Sequence, residues 1–251
     1  MAWRLATVGY DVLLPNLYYR AGQDTIFGAG VMEEGSPEHT RMRAVRTKMT
    51  IPPVMRDIAA MLAFVDQQDA VTPGPVGCHG YCMSGPYALA AAARYPDRVV
   101  AAASFYGTWL ISEAEESPHR PFNHVQGELY MACAEHDALA PLPIVEELQG
   151  FFTQAGVPGE IEPYPGVHHG FAFPQRWCDD KPAAERHWER LLALYRRQLT
   201  ALPSGGQRSG HAYSARVVEQ GDEHLARWTT EPRVLITVTP ERIATRAPRG
   251  R

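Results

Sequence analysis

Short apolar runs of strand length alternate with longer segments of helical period along most of this chain, and that alternation leaves few folds open. "GPVGCH", "RVVAAASFYG", "GELYMACAE" and "GEIEPYP" read as strands. "MSGPYALAAAARY", the segment around Ile144 to Gln154, and "AAERHWERLLALYRRQL" read as the helices among and after them. Parallel strands need crossover connections, so the pattern predicts an α/β fold, a mostly parallel sheet flanked by helices. Upstream, "YDVLLPNL" is a further strand leaving a turn at Gly9. Ile58, Met61, Leu62 and Val65 then place a helix over about 54–67, after a loop punctuated by Gly and Pro. "AWRLATVGY" reads as the last turns of a helix that ends at Gly9, so the chain reads as starting mid-fold. From about Pro203 the periodicity fades into Gly, Ser and Arg. The expectation is a folded domain over 1–200 and a flexible tail over 201–251, with "RVLITVT" as one strand candidate within it.

Composition narrows the partners. The 251 residues are 45% hydrophobic and 21% charged, enough for one large domain with a buried core. A net charge of -4 supplies no basic field, which argues against nucleic acid and anionic membranes. The absence of an 18-residue apolar run and of a signal-peptide pattern predicts a cytoplasmic protein. Cysteines at 78, 82, 133 and 178 form neither a dense disulfide framework nor a CxxC pair, so they read as reduced thiols. His, Asp and Glu show no zinc spacing such as H-E-x-x-H, so neither metal nor cofactor is expected. A small-molecule substrate is what remains; oligomeric state is not fixed by sequence.

The stretch "GCHGYCMSG" places Cys82 between a strand and a helix. That is the arrangement of a nucleophile elbow, with cysteine where G-x-S-x-G has serine. Small residues at Gly80, Ser84 and Gly85 allow a sharp turn and close helix packing. The helix start favours a thiolate, and the backbone N–H of Met83 is the first oxyanion-hole donor. On this motif alone, Cys82 is equally a buried strand-end cysteine. Asp137 in "AEHDALAP" and His169 in "GVHHGFAFP" each follow a predicted strand, giving the order Cys82, Asp137, His169. That is the nucleophile, acid, histidine order of α/β-hydrolase triads. In that arrangement His169 manages the thiol proton and Asp137 fixes the imidazole.

"GYDVLLPNLYYR", "GYCMSG", "AEHDALAP" and "HGFAFP", in this order, resemble the dienelactone hydrolase family, cysteine-nucleophile members of the α/β-hydrolase fold. The resemblance spans about residues 1 to 200. It implies that Cys82, Asp137 and His169 are the catalytic triad of a hydrolase opening an enol lactone or a related ester. The family also has strands before the G-Y strand, which carry a second oxyanion donor and a glutamate; this chain starts after that region. Family enzymes acting on dienelactone place an arginine four residues after the histidine, where this chain has Phe173. Two other readings stay open. One is a catalytically silent truncated member, or a binding protein, with half an oxyanion hole; the other is a serine hydrolase using Ser84.

The neighbouring residues carry plainer expectations. Cys78 and Cys133 are core, and Cys178 is a surface or loop thiol. His168 competes with His169, and Glu135 with Asp137. His79 and His136 either line the pocket or are satisfied locally, and Tyr18, Tyr19 and Arg20 either shape the pocket or pack a loop.

Overall fold

The computed structural model describes residues 1–199, apart from 23, 24, 29, 32, 69, 70, 72, 73 and 175, together with the backbone of 234–238. In chain order the elements are α1 (Ala2–Ala6), β1 (Asp11–Leu13), α2 (Pro37–Arg46), α3 (Ile51–Val65), β2 (Val76–Tyr81), α4 (Gly85–Arg94), β3 (Val99–Phe105), β4 (Glu128–His136), α5 (Leu142–Ala155), β5 (Gly159–His168), α6 (Lys181–Leu199) and β6 (Val234–Val238). They build one sheet of order β1-β6-β2-β3-β4-β5. Strands β2 to β5 are parallel.

Apolar runs make these strands because both sheet faces are covered. All six residues of β2 are buried. On one face α3, α4 and α5 pack through Ile58, Leu62, Leu89, Leu148 and Phe152; on the other, α1 and α6 pack through Leu5, Trp188, Leu191 and Tyr195. Every residue of α4 from Gly85 to Ala93 is buried, so its alanines bring the helix close to the sheet. On the opposite face a Cβ at Gly77 would lie 2.6 Å from the Tyr195 ring, which explains a glycine inside the strand.

Two expectations for the segment before β2 are corrected. Residues 37–46, within the stretch read as a loop, form α2. Ser36 Oγ accepts the His39 N–H at 3.0 Å, and Pro37 opens the first turn. The helix buries none of its residues, so it lacks the long apolar stripe that periodicity detects. The preceding Thr50 and the prolines at 52 and 53 also start α3 at Ile51, earlier than expected, because proline is tolerated in a first turn. Within the expected tail over 201–251, "RVLITVT" supplies β6, which inserts between β1 and β2 antiparallel to both. The flexibility expected of the rest lies outside the described residues. No helix among the described residues is long and apolar enough to cross a membrane.

Candidate active site

Strand β2 delivers the chain to Cys82, where the backbone reverses with φ +54. Few residues other than glycine adopt that left-handed conformation, and an elbow is where such strain recurs. Cys82–Ser84 make one tight 3-10 turn that leads into α4. Ser84 locks it: its Oγ accepts the Tyr81 N–H and donates to the Tyr81 carbonyl, both at 2.8 Å. A Cβ on Gly80 would fall 2.1 Å from the Ser84 carbonyl oxygen, so only glycine lets the two arms of the elbow approach. Gly85 faces Ser104 Oγ in the same way, at 2.3 Å from a would-be Cβ. After β3, the Thr108 N–H donates to the Cys82 carbonyl at 3.2 Å and ties the next loop to the turn.

Strands β4 and β5 end together, with His136 paired to His168, so the residues that follow each strand become neighbours. Asp137 is 5% exposed. One carboxylate oxygen accepts the Leu139 N–H at 2.8 Å, and the other lies 2.7 Å from His169 Nδ1. The Cys82 side chain lies close enough to the His169 imidazole to act on its protonation. Burial opposes that protonation, but the hydrogen bond to Asp137, the Cys82 side chain beside the ring and the charges of both outweigh burial and raise the His169 pKa from 6.5 to about 9. The three residues singled out from sequence thus form one continuous chain of contacts at the carboxyl ends of β2, β4 and β5.

The competing residues are engaged elsewhere. His168 packs its ring, tilted, against His136 and Trp177, with centroids 4.8 and 5.0 Å away. Glu135 is exposed and accepts the Gly166 N–H. His79 is fully buried within β2, its Nδ1 2.9 Å from the Tyr195 hydroxyl, and burial lowers its pKa to about 3. Ser84 is fully buried and spends its hydroxyl on the elbow. Cys78 and Cys133 are core thiols that burial pushes up to about 12. Cys178 lies in a turn between β5 and α6, as a loop thiol should, but it is buried rather than at the surface, and its Sγ donates to the His169 carbonyl at 3.1 Å. Tyr18 is buried, with its hydroxyl 3.0 Å from Met83 Sδ, whereas Tyr19 and Arg20 pair with Asp57 on α3.

A cavity of about 470 Å³ opens beside the elbow. Met83 and Tyr87 form its inner wall, with His39, Arg43 and Arg46 of α2 and Trp109 around them. The Arg46 guanidinium lies over the Trp109 ring, 3.9 Å from its centroid. None of these α2 residues was singled out from sequence. The signal that would have found them is the Ser36-Pro37-Glu38 helix start, which puts His39, Arg43 and Arg46 at helical spacing.

The model of the dienelactone hydrolase family matches residues 1–199. The chain belongs to that family. Dienelactone hydrolase relatives include a Synechocystis protein, named provisionally as a carboxymethylenebutenolidase, with 29% identity over 199 residues and 78% of each chain covered. The carboxymethylenebutenolidase of Rhodococcus opacus is 25% identical over 206 residues, or 80% of this chain and 75% of its own. A crystal structure from Klebsiella pneumoniae, named provisionally as a dienelactone hydrolase, shares the fold with a TM-score of 0.62 at 21% identity over 73% of each chain. This family member is therefore a carboxymethylenebutenolidase-like hydrolase with the α/β-hydrolase architecture.

Proposed function

We propose that the chain hydrolyses a small carboxylic ester or lactone through a Cys82, His169, Asp137 triad and an acyl-cysteine intermediate. The observation that carries this reading is the unbroken contact from Asp137 through His169 to Cys82 at the apex of a strained strand-to-helix turn. His169 holds the proton of the Cys82 thiol, and the sulfur attacks the substrate carbonyl carbon. The carbonyl electron pair moves to oxygen, where the Met83 N–H receives the negative charge, since the first N–H groups of a helical turn have no partner within it. Collapse of this intermediate breaks the acyl carbon–oxygen bond, and His169 protonates the departing alkoxide. In a lactone that alkoxide stays tethered to the acyl group. A water molecule, deprotonated by His169, then attacks the thioester and releases the acid with Cys82 restored. Asp137 keeps the imidazole oriented and balances its positive charge.

The cavity beside Met83 supports a substrate-binding role, and its guanidinium groups suit a substrate with an electron-rich or anionic end. Four free cysteines, one of them the proposed nucleophile, suit a reducing compartment, and we place the chain in the cytoplasm. Rapid mixing with a slowly hydrolysed aryl ester, followed by quenching and peptide mass analysis, tests the mechanism. The acyl mass belongs on the Cys82 peptide; its appearance on a serine peptide would overturn the reading.

A further inference from the structure

Tyr106 lies one residue beyond β3. It is 1% exposed, and its hydroxyl has no hydrogen-bond partner among the described residues. A hydroxyl buried in this way destabilises the fold. A fold that keeps one calls for an explanation, and a partner present only during function is one. The backbone at Tyr106 has φ +39, a conformation that a bulky side chain rarely adopts. The strained residue stands at the reacting centre. Its ring meets the His169 imidazole edge-on with centroids 5.1 Å apart, and Phe171 packs on it at 5.1 Å. Two residues later, the Thr108 N–H holds the Cys82 carbonyl. Burial first, and then the negative charge available at Tyr81 and Cys82, keep the phenol protonated; Cys178 reinforces this and Arg176 opposes it. A phenol that resists ionisation is a dedicated donor for an anion.

We propose that the Tyr106 hydroxyl donates a hydrogen bond to the Cys82 sulfur when that sulfur carries negative charge, while the Tyr106 ring sets the tilt of the His169 imidazole. The hydroxyl has no partner among the described residues, and negative charge on the neighbouring sulfur supplies the acceptor that would draw it in. This inference rests on Cys82 being the nucleophile. It adds a hydrogen bond to the reacting atom and requires no further chemical step.

Tyr106→Phe keeps the ring and removes only the hydroxyl. The rate of Cys82 alkylation by iodoacetamide, read from the Cys82 peptide without substrate, should fall about tenfold at neutral pH, as the loss of one charge-assisted hydrogen bond predicts. Turnover of an aryl ester should show a similar fall in kcat, with KM within about twofold. The Tm should hold or rise, because a buried unpaired hydroxyl has gone. Wild-type alkylation overturns the proposal, and so does a Tm that falls together with both rates, which would make Tyr106 a packing residue. The nucleophile reading fails separately: Cys82→Ala would then retain turnover.

Discussion

Replacing Asp137 with asparagine tests the electrostatics of the site through stability as well as rate. The His169 pKa, raised from 6.5 to about 9, corresponds to about 3.5 kcal/mol at about 1.4 kcal/mol per pH unit. The imidazole side chain is 19% exposed and the carboxylate 1%, so solvent screens little of this. A pKa raised in the folded state means that the folded chain holds the proton more tightly. The contribution is therefore fully present below pH 6.5, declines above it, and is lost as pH passes about 9. Asp137 and Cys82 share the effect, so Asp137→Asn should remove roughly half of it, on the order of 1–2 kcal/mol. Guanidinium unfolding at pH 6, 7.5 and 9.5 reads it directly. The expected result is a stability difference between the two proteins that is largest at pH 6 and shrinks toward pH 9.5. The same variant should lose turnover by about 100-fold or more, through the misoriented imidazole. A difference that stays constant across the pH range would refute the assignment of the carboxylate as the source of the His169 shift.

Two further perturbations probe the scaffold. Ser84→Ala removes two hydrogen bonds to Tyr81 and should cost about 1–2 kcal/mol. Its turnover should remain within a few-fold of wild type, and a complete loss at an unchanged Tm would make Ser84 the nucleophile instead. Ending the chain at residue 200 removes β6 from between β1 and β2 and exposes both strands' hydrogen-bonding edges. The truncated protein should aggregate at concentrations where the full chain is monodisperse by light scattering; equal solubility and Tm would show that β6 contributes nothing to the sheet.

The elbow was legible in the sequence because its requirements are local. Gly80 and Ser84 must be small or hydroxyl-bearing for two backbone segments to meet, and those needs are written within six residues. The alternation of strands and helices over 76–199 was legible for a similar reason: the central strands β2 and β3 are covered on both faces and read as continuous apolar runs, whereas β5, at the sheet edge, is only partly buried. What depends on distant partners was not. Helix α2 packs on the core only through the partly buried Met42 and Val45, too short a stripe to read from sequence, yet it supplies His39, Arg43 and Arg46 to the cavity wall. Cys178 sits among polar neighbours in "RWCDDKP" and looked superficial; only the fold brings its sulfur under the His169 carbonyl. The segment "RVLITVT" announced a strand, but its place between β1 and β2 depends on pairing across more than 150 residues. The unpaired hydroxyl of Tyr106 likewise follows from which side chains surround it, and "SFYG" carries no trace of that.

The most direct measurement compares hydrolysis of a small aryl ester by the 251-residue chain and by Cys82→Ala under identical conditions. Turnover is expected in the first and a loss to background in the second, with both proteins equally folded by circular dichroism. Equal turnover in the two, or silence in both, would contradict a cysteine-nucleophile hydrolase built on Cys82, His169 and Asp137.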